Sequence, residues 1–152
     1  MVKRLCGMPL RKQIETYIFK TISKPRKKLD NLPICPYVKS YKDKINITVT
    51  KNYSKSIDQS CQLMHSLGFE AIVIGGKMIT YEYLEQICKK YSTKYANKDI
   101  EILYMHPDTV NPPLPYSYNF KHSPLVIIQR LSTLQKARNN LKNKTNYYKY
   151  HK

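Results

Sequence analysis

Apolar positions along the chain switch between two spacings, and the switches mark its elements. After Pro9, the residues Leu10, Ile14, Tyr17, Ile18 and Ile22 recur every three or four positions. That spacing predicts an amphipathic helix with proline in its first turn. Pro25 stops it, and Leu29 to Tyr41, broken by Pro33 and Pro36, is expected to be extended and irregular. Ile45, Ile47 and Val49 alternate with Asn46 and Thr48, the period of a half-buried strand. Ser56 to Leu67 returns to helical spacing, burying Ile57, Cys61 and Met64, with Gly68 as its stop. Phe69 to Ile74 reads as a short strand closed by Gly75 and Gly76. Thr80 is placed to cap a third helix carrying Leu84, Ile87, Cys88, Tyr91 and Tyr95. Ile100 to Met105 is a further strand ending at His106 and Pro107, followed by a proline-rich loop over 107–122. Ser123 and Pro124 look like an N-cap and a first-turn proline. They predict a fourth helix to about Leu141, with Ile127, Ile128, Leu131, Leu134 and Leu141 on its apolar face.

The resulting order predicts an α/β fold: a small three-stranded parallel sheet, a β-α-β-α-β core, flanked by N-terminal and C-terminal helices. Helical crossovers favour parallel neighbours joined right-handedly. Strand 69–74, with its uniformly apolar end, is expected at the centre and strand 44–50 at an edge. Helices two and three then share one face, and the first and last cover the other.

Composition adds limits. A length of 152 residues fits one domain, and a hydrophobic fraction of 41 % supports a core and excludes wholesale disorder. No apolar run approaches the ~20 residues of a membrane span, and Met1 to Cys6 lacks the apolar region of a secretory signal. The expected location is intracellular, either cytoplasmic or within a nucleoprotein particle.

The formal charge of +17 is unevenly spread. Residues 1–55 carry 14 basic and 3 acidic side chains, residues 56–105 carry 5 and 6, and residues 136–152 carry 6 and none. The chain therefore divides into a basic N-terminal segment, 1–30, a core, 31–141, and a basic C-terminal tail, 142–152, within one domain over 1–152. Blocks of like charge repel themselves and gain by meeting a polyanion. Lys24, Arg26, Lys27 and Lys28 at one end, and Lys142, Lys144, Lys149 and Lys152 at the other, are the candidate phosphate contacts. Tyr147, Tyr148 and Tyr150 interleave with the tail lysines, a pattern suited to stacking on unpaired bases. Abundant Lys, Asn, Ile and Tyr without Trp also follow from an AT-rich coding bias, although that bias does not remove acids from the tail.

Three places could carry chemistry. Cys6, Cys35, Cys61 and Cys88 form no C-x-x-C pair, so neither a zinc ribbon nor a redox dithiol is indicated. Cys61 and Cys88 sit on apolar helix faces as core thiols, whereas Cys35 lies between two prolines, either as a nucleophile or as a small residue in a tight turn. His106, Pro107 and Asp108 follow the last strand, at the carboxyl edge where open α/β sheets bind ligands. There His106 could act as acid–base with Asp108 orienting its ring, or the three could simply form a turn. Gly75, Gly76 and Lys77 at the same edge could hold a phosphate, but they lack a P-loop pattern and read better as a plain turn. No cofactor or metal is implied.

The ordered set Ile34-Cys35-Pro36-Tyr37, Met105-His106-Pro107-Asp108 and Asn119 to Pro124 resembles a bacterial domain-of-unknown-function family. Its members carry Leu-Cys-Pro-Phe, Phe-His-Pro-Asp and Asn-Arg-Ser-Pro in this order. The similarity spans about residues 10–138, and His122 stands where the family has Arg. No activity comes with the resemblance, but it implies that Cys35, His106, Asp108 and Ser123 converge at the carboxyl edge.

Two readings follow. The first is a basic binding or structural protein whose ends contact the phosphates of nucleic acid or another polyanion, as part of a larger assembly such as a ribonucleoprotein or virion. The alternative is a small enzyme with Cys35, His106 and Asp108 as its catalytic groups.

Overall fold

The computed structural model describes residues 8–29, 31–33, 35–108 and 119–145. Helix α1 (Leu10–Thr16) continues into a π-helical turn over Tyr17–Thr21. Ile14, Tyr17, Ile18 and Ile22 along this stretch are all buried, as their spacing predicts. Strand β1 (Pro25–Arg26) pairs with β2 (Leu32–Pro33) in a small antiparallel hairpin, and a single helical turn, α2 (Tyr37–Ser40), follows.

The main sheet contains β3 (Ile45–Thr50), β4 (Ala71–Gly76), β5 (Ile100–Met105) and β6 (Leu125–Arg130), in the spatial order β3-β4-β6-β5. β3 and β4 are parallel, while β6 is antiparallel to both β4 and β5. β3, β4 and β5 therefore share one direction, as expected, and β6 alone runs against them.

The expected three-stranded parallel sheet is thus corrected to a four-stranded mixed one. The added strand lies inside the predicted fourth helix, which begins seven residues after Pro124 as α5 (Leu131–Lys144). A continuous apolar run such as Leu125 to Ile128 does not distinguish a strand from a buried helix by periodicity. Once in the sheet, Ile127 and Ile128 face opposite sides: Ile128 packs in one core cluster and Ile127 against the other.

Two layers of helix enclose the sheet. Helices α3 (Tyr53–Leu63) and α4 (Tyr81–Lys94) place Ile57, Cys61, Leu84 and Cys88 against Ile72, Ile74, Ile102, Val126 and Ile128. On the other face, Ile14, Tyr17 and Ile18 meet Ile47, Val73, Met105 and Leu125. Every residue of β4 is buried, as an interior strand requires, and the alternating β3 forms one edge.

Helix α5 has no cap of its own. Asp99, in the turn before β5, supplies one from 33 residues away: Oδ1 accepts the Ser132 N–H at 2.7 Å and Oδ2 accepts the Ser132 hydroxyl at 2.6 Å. Asp99 holds a left-handed backbone, φ 56°, to reach this position. Among the described residues, no helix is long and apolar enough to cross a membrane.

Candidate functional site

β3, β4 and β5 all end at the edge where β6 begins, so Thr50, Gly76, Met105 and Leu125 lie along one rim. The described residues include three buried polar side chains, His106, Asn119 and Ser123, and all three sit here. Burying polar groups is costly unless hydrogen bonds replace water. The His106 ring is held at both nitrogens: Nδ1 accepts the Asp108 backbone N–H at 3.0 Å, and Nε2 lies 2.6 Å from the Ile79 carbonyl. A carbonyl only accepts, so Nε2 is the donor and Nδ1 the acceptor. Tyr81 packs edge-on against the ring at 6.1 Å. The Asp108 backbone, and not its carboxylate, orients His106; that side chain is 83 % exposed, with Oδ2 3.9 Å from Nδ1.

The Asn119 amide donates to the His106 carbonyl at 2.9 Å, joining two motifs 13 residues apart in the chain. Ser123 is fully buried, and its hydroxyl and that of Tyr53 both donate to the Pro124 carbonyl at 2.9 Å. Burial pushes the Tyr53 phenol up to about 12, partly offset by hydrogen bonds from Ser123 and the Gly76 backbone. The three motif residues His106, Asn119 and Ser123 are therefore neighbours of one edge, held by ordinary structural hydrogen bonds. A cavity of about 180 Å³ opens beside Asn119, with Gln13, Thr16, Tyr17, Thr21 and Phe120 among its walls.

Cys35 is elsewhere. It lines a cavity of about 50 Å³ with Ile45 and Ala71, the first residues of β3 and β4, and with Gln129 and Arg130 at the end of β6. None of the partners of His106 (Ile79, Tyr81, Asp108, Asn119) lines that cavity. Burial raises the Cys35 thiol above its ordinary value, against smaller lowering by the Tyr37 and Val38 N–H groups. The protonated thiol is thus favoured, opposite to what an activated nucleophile needs.

Gly75 and Gly76 belong to β4 and serve packing. A Cβ on Gly75 would come 2.5 Å from Ile14 Cδ1, and one on Gly76 would come 2.2 Å from the Thr50 carbonyl oxygen. Among the described residues, no cluster of three or more His, Cys, Asp or Glu side chains could hold a metal ion.

The basic candidates split by position. Lys24, Lys27 and Lys28 are exposed around the β1–β2 hairpin, and Arg26 is half-buried, donating to the Thr21 carbonyl at 2.8 Å. Lys142 and Lys144 are exposed in the last turn of α5, where the helix dipole favours cations. Lys149, Lys152 and the tail tyrosines lie outside the described residues, as does Cys6.

A groove of about 310 Å³ separates α2 from α5, lined by Tyr37, Ser40 and Tyr41 on one bank and Lys136, Asn140 and Leu141 on the other. Sequence reasoning missed it, although both banks show the i, i+4 spacing that puts two side chains on one helix face. Lys39, Lys42 and Lys44 continue the first bank in the chain and Lys142 and Lys144 the second. Among the described residues, none of these or Lys136 joins an ion pair, whereas Lys89 and Lys94 in the neutral middle pair with Glu85 and Asp58.

No protein-family model matches this chain, and no curated protein or solved structure is found similar to it.

Proposed function

We propose that this protein is a polyanion-binding protein that holds nucleic acid along the groove between α2 and α5. The observation that supports this best is a groove that sets Tyr37 and Tyr41 on one bank against Lys136 on the other, with Lys39, Lys42 and Lys44 next to the first bank in sequence and Lys142 and Lys144 next to the second, none in an ion pair among the described residues. Lysines meet phosphates, and Tyr37 and Tyr41 offer faces on which bases stack. Two of the acids pair with cations outside the groove lining, Asp58 with Lys94 and Glu70 with Arg130. The reading asks nothing of Cys35, His106 or Asp108.

The test is fluorescence anisotropy with a labelled single-stranded oligonucleotide between about 50 and 200 mM salt. Binding is expected to weaken steeply with salt. The triple variant Lys136→Gln, Lys142→Gln, Lys144→Gln is expected to flatten the log–log slope by about two, at roughly 0.7 for each single-strand phosphate no longer neutralised. No binding at the lower salt, or an unchanged slope in the triple variant, overturns the reading.

A further inference from the structure

The main sheet has two edges, β3 and β5, and they differ in charge. Around β3, residues 39–55 carry five lysines against one acid. Around β5, residues 81–105 carry four basic and four acidic side chains. At physiological ionic strength, charges are screened beyond about 8 Å, so only those near a contact decide whether it forms. Two chains of charge +17 are held apart wherever a basic surface meets its copy, and not where α4 and β5 meet theirs.

β5 is also built to accept a strand. Among the described residues, only β6 shares backbone hydrogen bonds with Ile100–Met105, so the outer margin of β5 is unpaired. Natural edges guard such a margin with Lys, Pro or a bulge. β5 has none of these: it reads Ile-Glu-Ile-Leu-Tyr-Met, and its ladder to β6 is unbroken from Ile100 to Met105. Its one charge, Glu101, is met by Arg138 of the same chain at 3.3 Å. Leu103, in the middle of the strand, is 37 % exposed.

Helix α4 carries a matching flank. Its Tyr91 and Lys94 face α3, through Ser54 and Asp58. The opposite flank holds Tyr81, Glu85 and Lys89 at i, i+4 spacing. Tyr81 packs at 6.2 Å on Tyr104 of β5, and Glu85 pairs with Lys89. The acid precedes the base along this flank, so a copy running the other way brings each Glu85 toward a Lys89.

We propose that two copies of this chain join edge to edge through β5, about a two-fold axis. Each four-stranded sheet then continues into the other, and the two α4 helices lie side by side with Glu85 of each facing Lys89 of the other. A two-fold axis makes such a contact self-complementary and pairs β5 antiparallel with its copy. The groove between α2 and α5 contains none of these residues, so the inference stands apart from nucleic-acid binding.

The test is sedimentation equilibrium of the full chain, freed of nucleic acid, at about 10 and about 200 µM. At the higher concentration the mass is expected to approach twice the 18.0 kDa of one chain. Amide hydrogen exchange is expected to slow on β5, and not on β3, over the same range. Glu85→Lys and Lys89→Glu each set like charges against each other across the axis and should weaken the dimer about tenfold. The double variant Glu85→Lys, Lys89→Glu should restore it. Leu103→Lys, which supplies the missing edge guard at an exposed position, should give the mass of one chain with the wild-type circular dichroism. A one-chain mass for the wild type at the higher concentration, slowed exchange on β3 in place of β5, a dimer indifferent to Leu103→Lys, or a double variant as weak as either single overturns the proposal. The first two outcomes are read on the wild-type chain and do not depend on whether a variant folds.

Discussion

Asp99 offers a sharp test of how α5 is held, because a single residue both caps the helix and occupies a left-handed backbone. Three substitutions separate the two contributions. Asp99→Gly removes the cap but accepts the positive φ, and should cost about 1 kcal/mol, a typical capping loss. Asp99→Ala removes the cap and also the short polar side chain that lets Asp tolerate a left-handed backbone, for about 1 kcal/mol more, giving about 2 kcal/mol together. Asp99→Asn keeps an acceptor and tolerates the backbone; it loses mainly the charge at the helix N-terminus, about 0.5 kcal/mol. At about 3 °C per kcal/mol for a chain of this size, thermal unfolding followed by circular dichroism should rank the variants Ala, Gly, Asn from least to most stable. Ser132 donates two hydrogen bonds to the carboxylate, its hydroxyl foremost, and holds it below the usual carboxylate range despite some desolvation; His65 and Arg130 nearby add to the lowering. A carboxyl group with a lowered folded value stabilises fully above its unfolded value, about 3.9. That contribution disappears as pH falls through the folded value, and Asp99→Asn should lose this acid dependence. Equal stabilities for Ala and Gly would refute the backbone argument, and three wild-type midpoints would refute the cap.

Two further outcomes follow from packing. Gly76→Ala should cost about 2–3 kcal/mol by urea unfolding, because its Cβ meets the Thr50 backbone oxygen, whereas Gly75→Ala should cost about 1 kcal/mol, because the Ile14 methyl can rotate away. The reverse order would contradict this account of the β3–β4 contact. Burial pushes the Cys61 and Cys88 thiols up to about 12, so both should resist alkylation at pH 8 in the native protein and react once it is unfolded, as mapped by mass spectrometry; labelling of either in the native state would mean that the α3–α4 layer opens.

The parts of the fold legible in the sequence were those where one face meets water and the other the core. β3 alternates because it is an edge strand, and α4 begins at Thr80, whose hydroxyl accepts the Tyr83 N–H at 3.2 Å. Helix α3 starts a turn before Ser56 because the Asn52 side chain accepts the Lys55 N–H at 3.1 Å, a cap overlooked in favour of the apolar spacing. β6 was missed because Ser123 and Pro124 imitate a helix start, while the Ser123 hydroxyl donates to the Pro124 carbonyl instead of accepting an N–H from a first helical turn. At the site, the position of His106 on the carboxyl edge was readable from chain order. The separate placement of Cys35 was not, because it follows from how the segment before β3 folds back along the strand starts, and no local pattern encodes that return. The groove escaped notice because its banks come from opposite ends of the chain.

The place of β6 also sets a timetable for the growing chain. β4 and β5 never touch as paired strands; each bonds to β6, which leaves the ribosome after both. Until then the nascent protein presents two facing, unsatisfied strand margins, the kind of surface that recruits a neighbouring chain. Closing the sheet waits on a late, sequence-distant insertion, a slow class of event in folding. The segment from Leu125 onward therefore acts as a keystone, and premature termination before Leu125 would leave an assembly prone to aggregate rather than a smaller working domain.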